Sequence, residues 1–123
     1  MSELQISVIA PCYNEESNLA ELTRRVLATF ERGGIDGELI LVDDGSSDKT
    51  ADRIRELEEK YPDKVIGRFH GVNRGMAQAW KTGAVAARAP VVAVIDADLQ
   101  YQPEDLLRLH RELIEHSVDV VQG

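Results

Sequence analysis

Asp96 and Asp98 are the residues whose types and spacing most directly suggest chemistry. In an extended segment, residues i and i+2 point to the same side. Two carboxylates placed that way repel unless something positive sits between them. A hard divalent cation such as Mg or Mn takes one or two carboxylates together with phosphate oxygens. Such a metal screens a diphosphate and stabilises it as it leaves. The plainer alternative is a solvated turn that caps the next helix. An Asp-x-Asp is common by itself, so its company decides how much it means.

Three other segments supply that company. Pro11-Cys12-Tyr13-Asn14-Glu15 follows one apolar run, and Asp43-Asp44-Gly45-Ser46-Ser47-Asp48 follows a second. Gly71-Val72-Asn73-Arg74-Gly75 follows a third, and Asp96-Ala97-Asp98-Leu99-Gln100 a fourth. Asp44 could accept hydrogen bonds from a base N–H or a ribose hydroxyl. The Asp-Gly pair also makes turns, and Ser47 or Asp48 can cap a helix, which accounts for most of Ser46, Ser47 and Asp48. Tyr13 could stack on a nucleobase or serve as a partly buried structural ring. Glu15 could contact ribose or favour a helix N-terminus. Arg74, beside Gly75, could bind a phosphate or be solvated. His70, His110 and His116 show no ligand or triad spacing. His110 falls among leucines and reads as core or core-edge.

The elements that must position these residues alternate. Strands are expected at 6–10, 39–42, 65–69 and 90–95, with a fifth beginning at 118–121. A first helix from about Glu16 places Leu19, Leu22, Val26, Leu27 and Phe30 on one face and ends at Gly33-Gly34. A second from about Lys49 turns Ala51, Ile54 and Leu57 inward. A third places Met76, Ala79, Trp80, Gly83, Ala84 and Ala87 on one face, with Trp80 read as helix packing. A fourth opens at Pro103, followed by Glu104 and Asp105. Alternation of this kind implies an α/β fold, a mostly parallel sheet with helices on both faces. Ligands in such sheets bind beyond the carboxyl ends of the strands. All four polar segments fall there.

Composition narrows the function classes. The 123 residues suit one domain spanning 1–123, and 43% hydrophobic with 29% charged residues argues against disorder. Fourteen Lys and Arg against 22 Asp and Glu leave a net charge of −8, a poor surface for nucleic acid. One nucleotide in a pocket stays compatible, because a bound cation supplies the missing positive charge. The lone Cys12 rules out an internal disulfide framework and reads as a small buried side chain. The longest apolar run, Pro90 to Ile95, is far too short to span a membrane. The N-terminus lacks signal-peptide character, so a cytoplasmic location is expected.

Taken in order, Ser7 to Glu15 (SVIAPCYNE), Glu38 to Thr50 (ELILVDDGSSDKT), Asn73 to Ala87 (NRGMAQAWKTGAVAA) and Val94 to Leu106 (VIDADLQYQPEDL) resemble family 2 glycosyltransferases of the GT-A fold. The last segment is similar to the branch that serves dolichol- and polyprenyl-phosphate acceptors. The resemblance implies a Rossmann-like nucleotide-binding half, cut after its fifth strand. It implies that Pro11, Tyr13 and Glu15 border base and ribose, and that Asp44 binds the base. Arg74 would lie near the base or phosphates. Asp96, Asp98 and Gln100 would hold Mg or Mn and the sugar diphosphate, with the two aspartates as the catalytic pair. The implied reaction is inverting hexose transfer from a UDP- or GDP-linked sugar to a lipid phosphate, at the cytoplasmic face of a membrane in the full-length protein. Family members continue well past the fifth strand, so the chain is expected to be a fragment with little or no activity alone. A homodimer through the sheet edge beside Val118 to Val121 is also expected.

Two other classes compete. A non-catalytic nucleotide-binding module shares every motif and differs only in turnover. A phospho-acceptor receiver domain is also α/β and of this length, and Leu39 to Asp44 (LILVDD) resembles its acidic strand end. There the acidic pair closes the first strand, whereas here it closes the second, and no Lys follows Lys81. A dinucleotide-binding oxidoreductase would need a G-x-G-x-x-G loop after the first strand, which is missing.

Overall fold

A computed structural model describes residues 4–95, 97 and 120–122. Asp96, Asp98, Gln100 and the expected fourth helix from Pro103, with His110, lie outside the described residues. The element order is β1 (Ile6–Cys12), α1 (Leu19–Gly33), β2 (Gly37–Asp44), α2 (Thr50–Lys60), β3 (Val65–His70), α3 (Met76–Ala86), β4 (Val91–Val94) and β5 (Val120–Gln122).

The strands form one sheet in the order β3-β2-β1-β4-β5, with every neighbouring pair parallel. Side chains alternate across it as the pleat requires. Val8, Ala10, Leu39 and Leu41 pack with Leu19, Leu22 and Val26 of α1 and Ile54 of α2. Ile9, Ile40, Val42 and Val94 pack on the other side with Ala79 of α3. Both faces are therefore covered, which is why the middle stretches of β1 (8–10) and β2 (39–42) are apolar rather than alternating. Each fully buried Val, Leu or Ile among them contributes roughly 1.5–3 kcal/mol relative to exposure.

The sheet order separates the competing folds. Order 3-2-1-4-5 is that of Rossmann-type sheets, whereas receiver domains run 2-1-3-4-5. The strand order thus reverses between β1 and β4, the point at which such sheets bind ligands at their carboxyl edge.

Two local expectations are corrected. Helix α1 begins at Leu19 rather than near Glu16, because the backbone N–H groups of Glu15 and Glu16 donate to the Thr50 hydroxyl and the Asp48 carboxylate. Only Ala79 and Gly83 of the expected α3 face are buried. Met76, Trp80 and Ala84 are exposed; α3 meets the sheet along a narrow line of small residues. A Cβ on Gly83 would sit 2.4 Å from Ile9 Cγ2, so the backbone itself forms the contact and bulkier neighbours are held off the sheet.

Opposite the carboxyl edge, Glu38 is fully buried near the start of β2. It accepts from the Ser7 hydroxyl at 2.6 Å and from Arg88 Nε at 2.8 Å, tying β1 and β2 to the chain entering β4. This buried acid is structural, and the sequence reading did not single it out.

Candidate functional site

The loops after β1 and β2 are joined by side chains. Asn14, at φ 54°, turns its Oδ1 toward the next loop. That oxygen accepts the Ser47 N–H at 2.9 Å and the Asp48 N–H at 3.3 Å, while Asn14 N–H donates to Ser46 Oγ at 2.9 Å. Asp48 accepts both the N–H and the hydroxyl of Thr50, the first residue of α2, and so satisfies one of the free N–H groups at that helix end. Ser46, Ser47 and Asp48 thus do turn and cap work, as the plainer reading held. Burial alone would raise the Asp48 pKa, but the donors from Thr50 and Glu16 outweigh it and hold the carboxyl below its usual range.

Pro11 is buried in β1, Tyr13 is exposed just beyond it, and Glu15 is half-buried. Glu15 Oε2 accepts the Asn18 side-chain amide at 2.7 Å. Asp43 is buried and accepts Ser46 N–H at 3.1 Å, which closes the turn after β2.

Among the described residues Asp44 is the most enclosed carboxylate of this edge, 1% exposed. Its Oδ1 receives His70 Nδ1 at 2.9 Å and Arg74 N–H at 2.8 Å, and its Oδ2 receives Gly75 N–H at 3.0 Å. Burial pushes its pKa up, but the His70 hydrogen bond and charge and the two backbone donors overcome that and leave it lowered. The same carboxylate therefore fixes the loop after β3, whose Arg74 side chain stays exposed. Gly45, at φ 70°, lets that loop lie against the β2 turn: a Cβ there would be 2.3 Å from the Val72 carbonyl carbon.

The structure so brings the β1, β2 and β3 loops together, carrying Pro11, Tyr13, Glu15, Asp44 and Arg74. It adds His70, which sequence spacing had set aside. The available signal was positional: His70 closes β3 directly across from Asp44 closing β2. Residues 95 and 97, which alternate with the Asp96 and Asp98 pair, are buried as Ile95 and Ala97, and Ile95 N–H donates to Ile9 O at 2.9 Å. The end of β4 is thereby held beside β1. A cavity of about 440 Å³, lined by Leu27, Phe30, Ile35, Tyr61 and Lys64, lies by the starts of β2 and β3, on the wrong edge for this site.

Residues 7–123 match the family described as Glycosyl transferase family 2. The chain belongs to glycosyl transferase family 2. Among the relatives of this family 2 chain is a dolichol-phosphate mannosyltransferase from Pyrococcus furiosus, 39% identical over 98% of this chain and 33% of its own length. Another is an undecaprenyl-phosphate 4-deoxy-4-formamido-L-arabinose transferase from Edwardsiella ictaluri, 37% identical over 94% of this chain and 35% of its own. The chain thus spans about a third of the length of the curated relatives it matches.

Solved structures of GT-A glycosyltransferases agree on the fold. A mannosyltransferase from Pyrobaculum calidifontis in complex with GDP-Man and Mn2+ superposes with a TM-score of 0.77 at 26% identity, over 91% of this chain and 33% of that one. Residues 1–349 of TarS from S. aureus in complex with UDP-GlcNAc give 0.70 at 27% identity, over 93% and 32%.

Proposed function

We propose that this family 2 chain is the nucleotide-sugar-binding part of an enzyme that moves a hexose from a UDP- or GDP-linked donor to a polyprenyl- or dolichyl-type phosphate, with inversion. The observation that carries the reading is the joined set of β1, β2 and β3 loops at the carboxyl edge, beside the point between β1 and β4 where the strand order reverses. Relatives named for dolichol- and undecaprenyl-phosphate support the acceptor class, and neighbours holding GDP-Man or UDP-GlcNAc support the donor class.

In this reading the exposed Tyr13 ring stacks on the base, with Pro11 and Glu15 along base and ribose. Asp44 Oδ1 already has two donors, so a base N–H is received at Oδ2, which has one. The Arg74 guanidinium reaches the phosphates from a loop whose backbone is pinned.

Asp96, Asp98 and Gln100 are the residues that would hold the cation. Two carboxylates and an amide oxygen are a hard-oxygen donor set, suited to Mg or Mn. Among the described residues no cluster of three His, Cys, Asp or Glu could hold a metal. When bound, the cation screens the diphosphate and stabilises its departure. A lipid phosphate acceptor is already anionic, so no dedicated general base is required. Among the described residues no helix is long and apolar enough to cross a membrane. Dimerisation by strand addition beside β5 belongs to the same reading, and sedimentation at high concentration tests it.

The experiment is thermal unfolding against UDP- and GDP-sugars, with and without Mn. A ligand at about 100 times its dissociation constant stabilises by about 2.7 kcal/mol, which a small domain shows clearly. The expected result is a shift that needs metal and one nucleotide and vanishes in Asp98→Ala. No shift in either this chain or a longer one would sink the proposal. Binding without turnover is expected from the 123 residues alone.

A further inference from the structure

His70 uses both of its ring nitrogens, and neither contact is explained by packing. Nδ1 meets Asp44 Oδ1 at 2.9 Å and Nε2 meets the Thr82 hydroxyl at 2.8 Å, with the His70 side chain only 7% exposed. Asp44 is ionised, so Nδ1 must carry a hydrogen and donate it. In the neutral ring Nε2 is then the acceptor, and the Thr82 hydroxyl donates to it. The ring therefore links the end of β2, the end of β3 and the middle of α3. Its contact on Asp44 is to the oxygen that also receives the Arg74 N–H. Turning that carboxylate would release Arg74 and, through Oδ2, Gly75.

We propose that His70, braced by Thr82, is a positioning residue: through Asp44 it fixes the loop at residues 71–75 across the end of β2 and so sets where Arg74 meets the nucleotide. The nucleotide half of this inference rests on the proposed function; the loop half does not. His70 acts through Asp44 and does not itself touch the donor. Its neighbour Phe69 sits opposite Asp43 and is exposed, whereas the His70 side chain, on the other face of β3, is enclosed.

The test uses His70→Phe, His70→Asn and Thr82→Val, read in two ways. Amide hydrogen exchange at Arg74 and Gly75 reports the loop without any ligand, and titration with UDP and GDP in Mn reports the pocket. In His70→Phe the two amides exchange at least about tenfold faster and the nucleotide binds about tenfold more weakly, the effect of losing one charge-assisted hydrogen bond. Thr82→Val lies between. His70→Asn lies nearest the wild type, because its amide N–H replaces Nδ1–H. Unchanged exchange and affinity in His70→Phe and Thr82→Val would overturn the proposal. So would a loss of protection spread evenly over all the strand amides, which would make His70 a residue of general stability. Should His70→Phe fail to fold, Thr82→Val and His70→Asn decide by the same ordering. If the two amides loosen as expected but the wild type binds neither nucleotide, the loop clamp stands and the nucleotide reading of this edge falls.

Discussion

The side-chain oxygen of Asn14 accepts the backbone N–H of Ser47 at 2.9 Å across 33 residues of sequence, and it does so from a left-handed backbone conformation. One residue thus holds the β1 and β2 loops in a fixed relation. Non-glycine residues adopt that conformation at a cost of about 1 kcal/mol, least for Asn and Asp.

Asn14→Gly should remove the loop contacts without adding backbone strain, and destabilise by about 1–2 kcal/mol. Asn14→Ala adds the strain and should be worse by about 1 kcal/mol more. Urea unfolding of both variants checks the order; an alanine variant as stable as the glycine variant would mean the loop relaxes out of the left-handed conformation.

Gly45 and Gly34 have similar positive φ values, 70° and 62°, but different surroundings. A Cβ on Gly34 meets nothing within 4 Å, whereas on Gly45 it would meet the Val72–Asn73 backbone at 2.3–2.4 Å. Gly34→Ala should cost about 1 kcal/mol, the conformational term alone. Gly45→Ala should cost about 1–3 kcal/mol beyond that and displace the loop bearing Arg74. Unfolding midpoints of the two variants measure the difference.

The lowered pKa of Asp44 makes an acid-side prediction. Its unfolded reference is 3.8 and its folded value lies below that. The folded state therefore binds its proton less tightly than the unfolded state. The stabilisation from the ionised carboxylate is fully present above the unfolded value and is lost as pH falls through the folded one. Asp44→Asn should be less stable than wild type at pH 7, and the gap should narrow only below about pH 4. A gap that closes already between pH 5 and 7 would contradict the assignment.

Burial raises the Cys12 thiol well above the ordinary range, and the negative charges of Glu15 and Asp43 add to the effect. The Sγ also points its hydrogen at Ala10 O, 3.1 Å away. The thiolate is the reactive form. Native protein should resist a thiol-reactive reagent over the time in which denatured protein is labelled completely, as mass spectrometry would record. Rapid labelling of the native chain would show that the β1 end opens.

Sequence by itself determined the frame of this protein. The apolar runs at β1, β2 and β4 announced strands, and their alternation with periodic helices required a parallel α/β sheet covered on both faces. The residues following each strand, from Pro11 to Glu15 and from Asp43 to Asp48, could then be assigned to one edge. These features are local, set by hydrophobic period and by where polarity resumes. Tertiary structure alone decided which of those residues meet. His70 carries no motif, and only the β2–β3 register sets it against Asp44. Asn14 had no assigned role along the chain, and the β1–β2 pairing brings Ser47 within its reach. Trp80 sat on the expected inner face of α3, yet the close approach at Gly83 leaves the ring outside. Partners separated by 26 or 33 residues leave no periodic trace along the chain. Hydrophobic period specifies which face is buried, but strand order and register specify which polar side chains come within hydrogen-bonding distance, and those are properties of the assembled sheet.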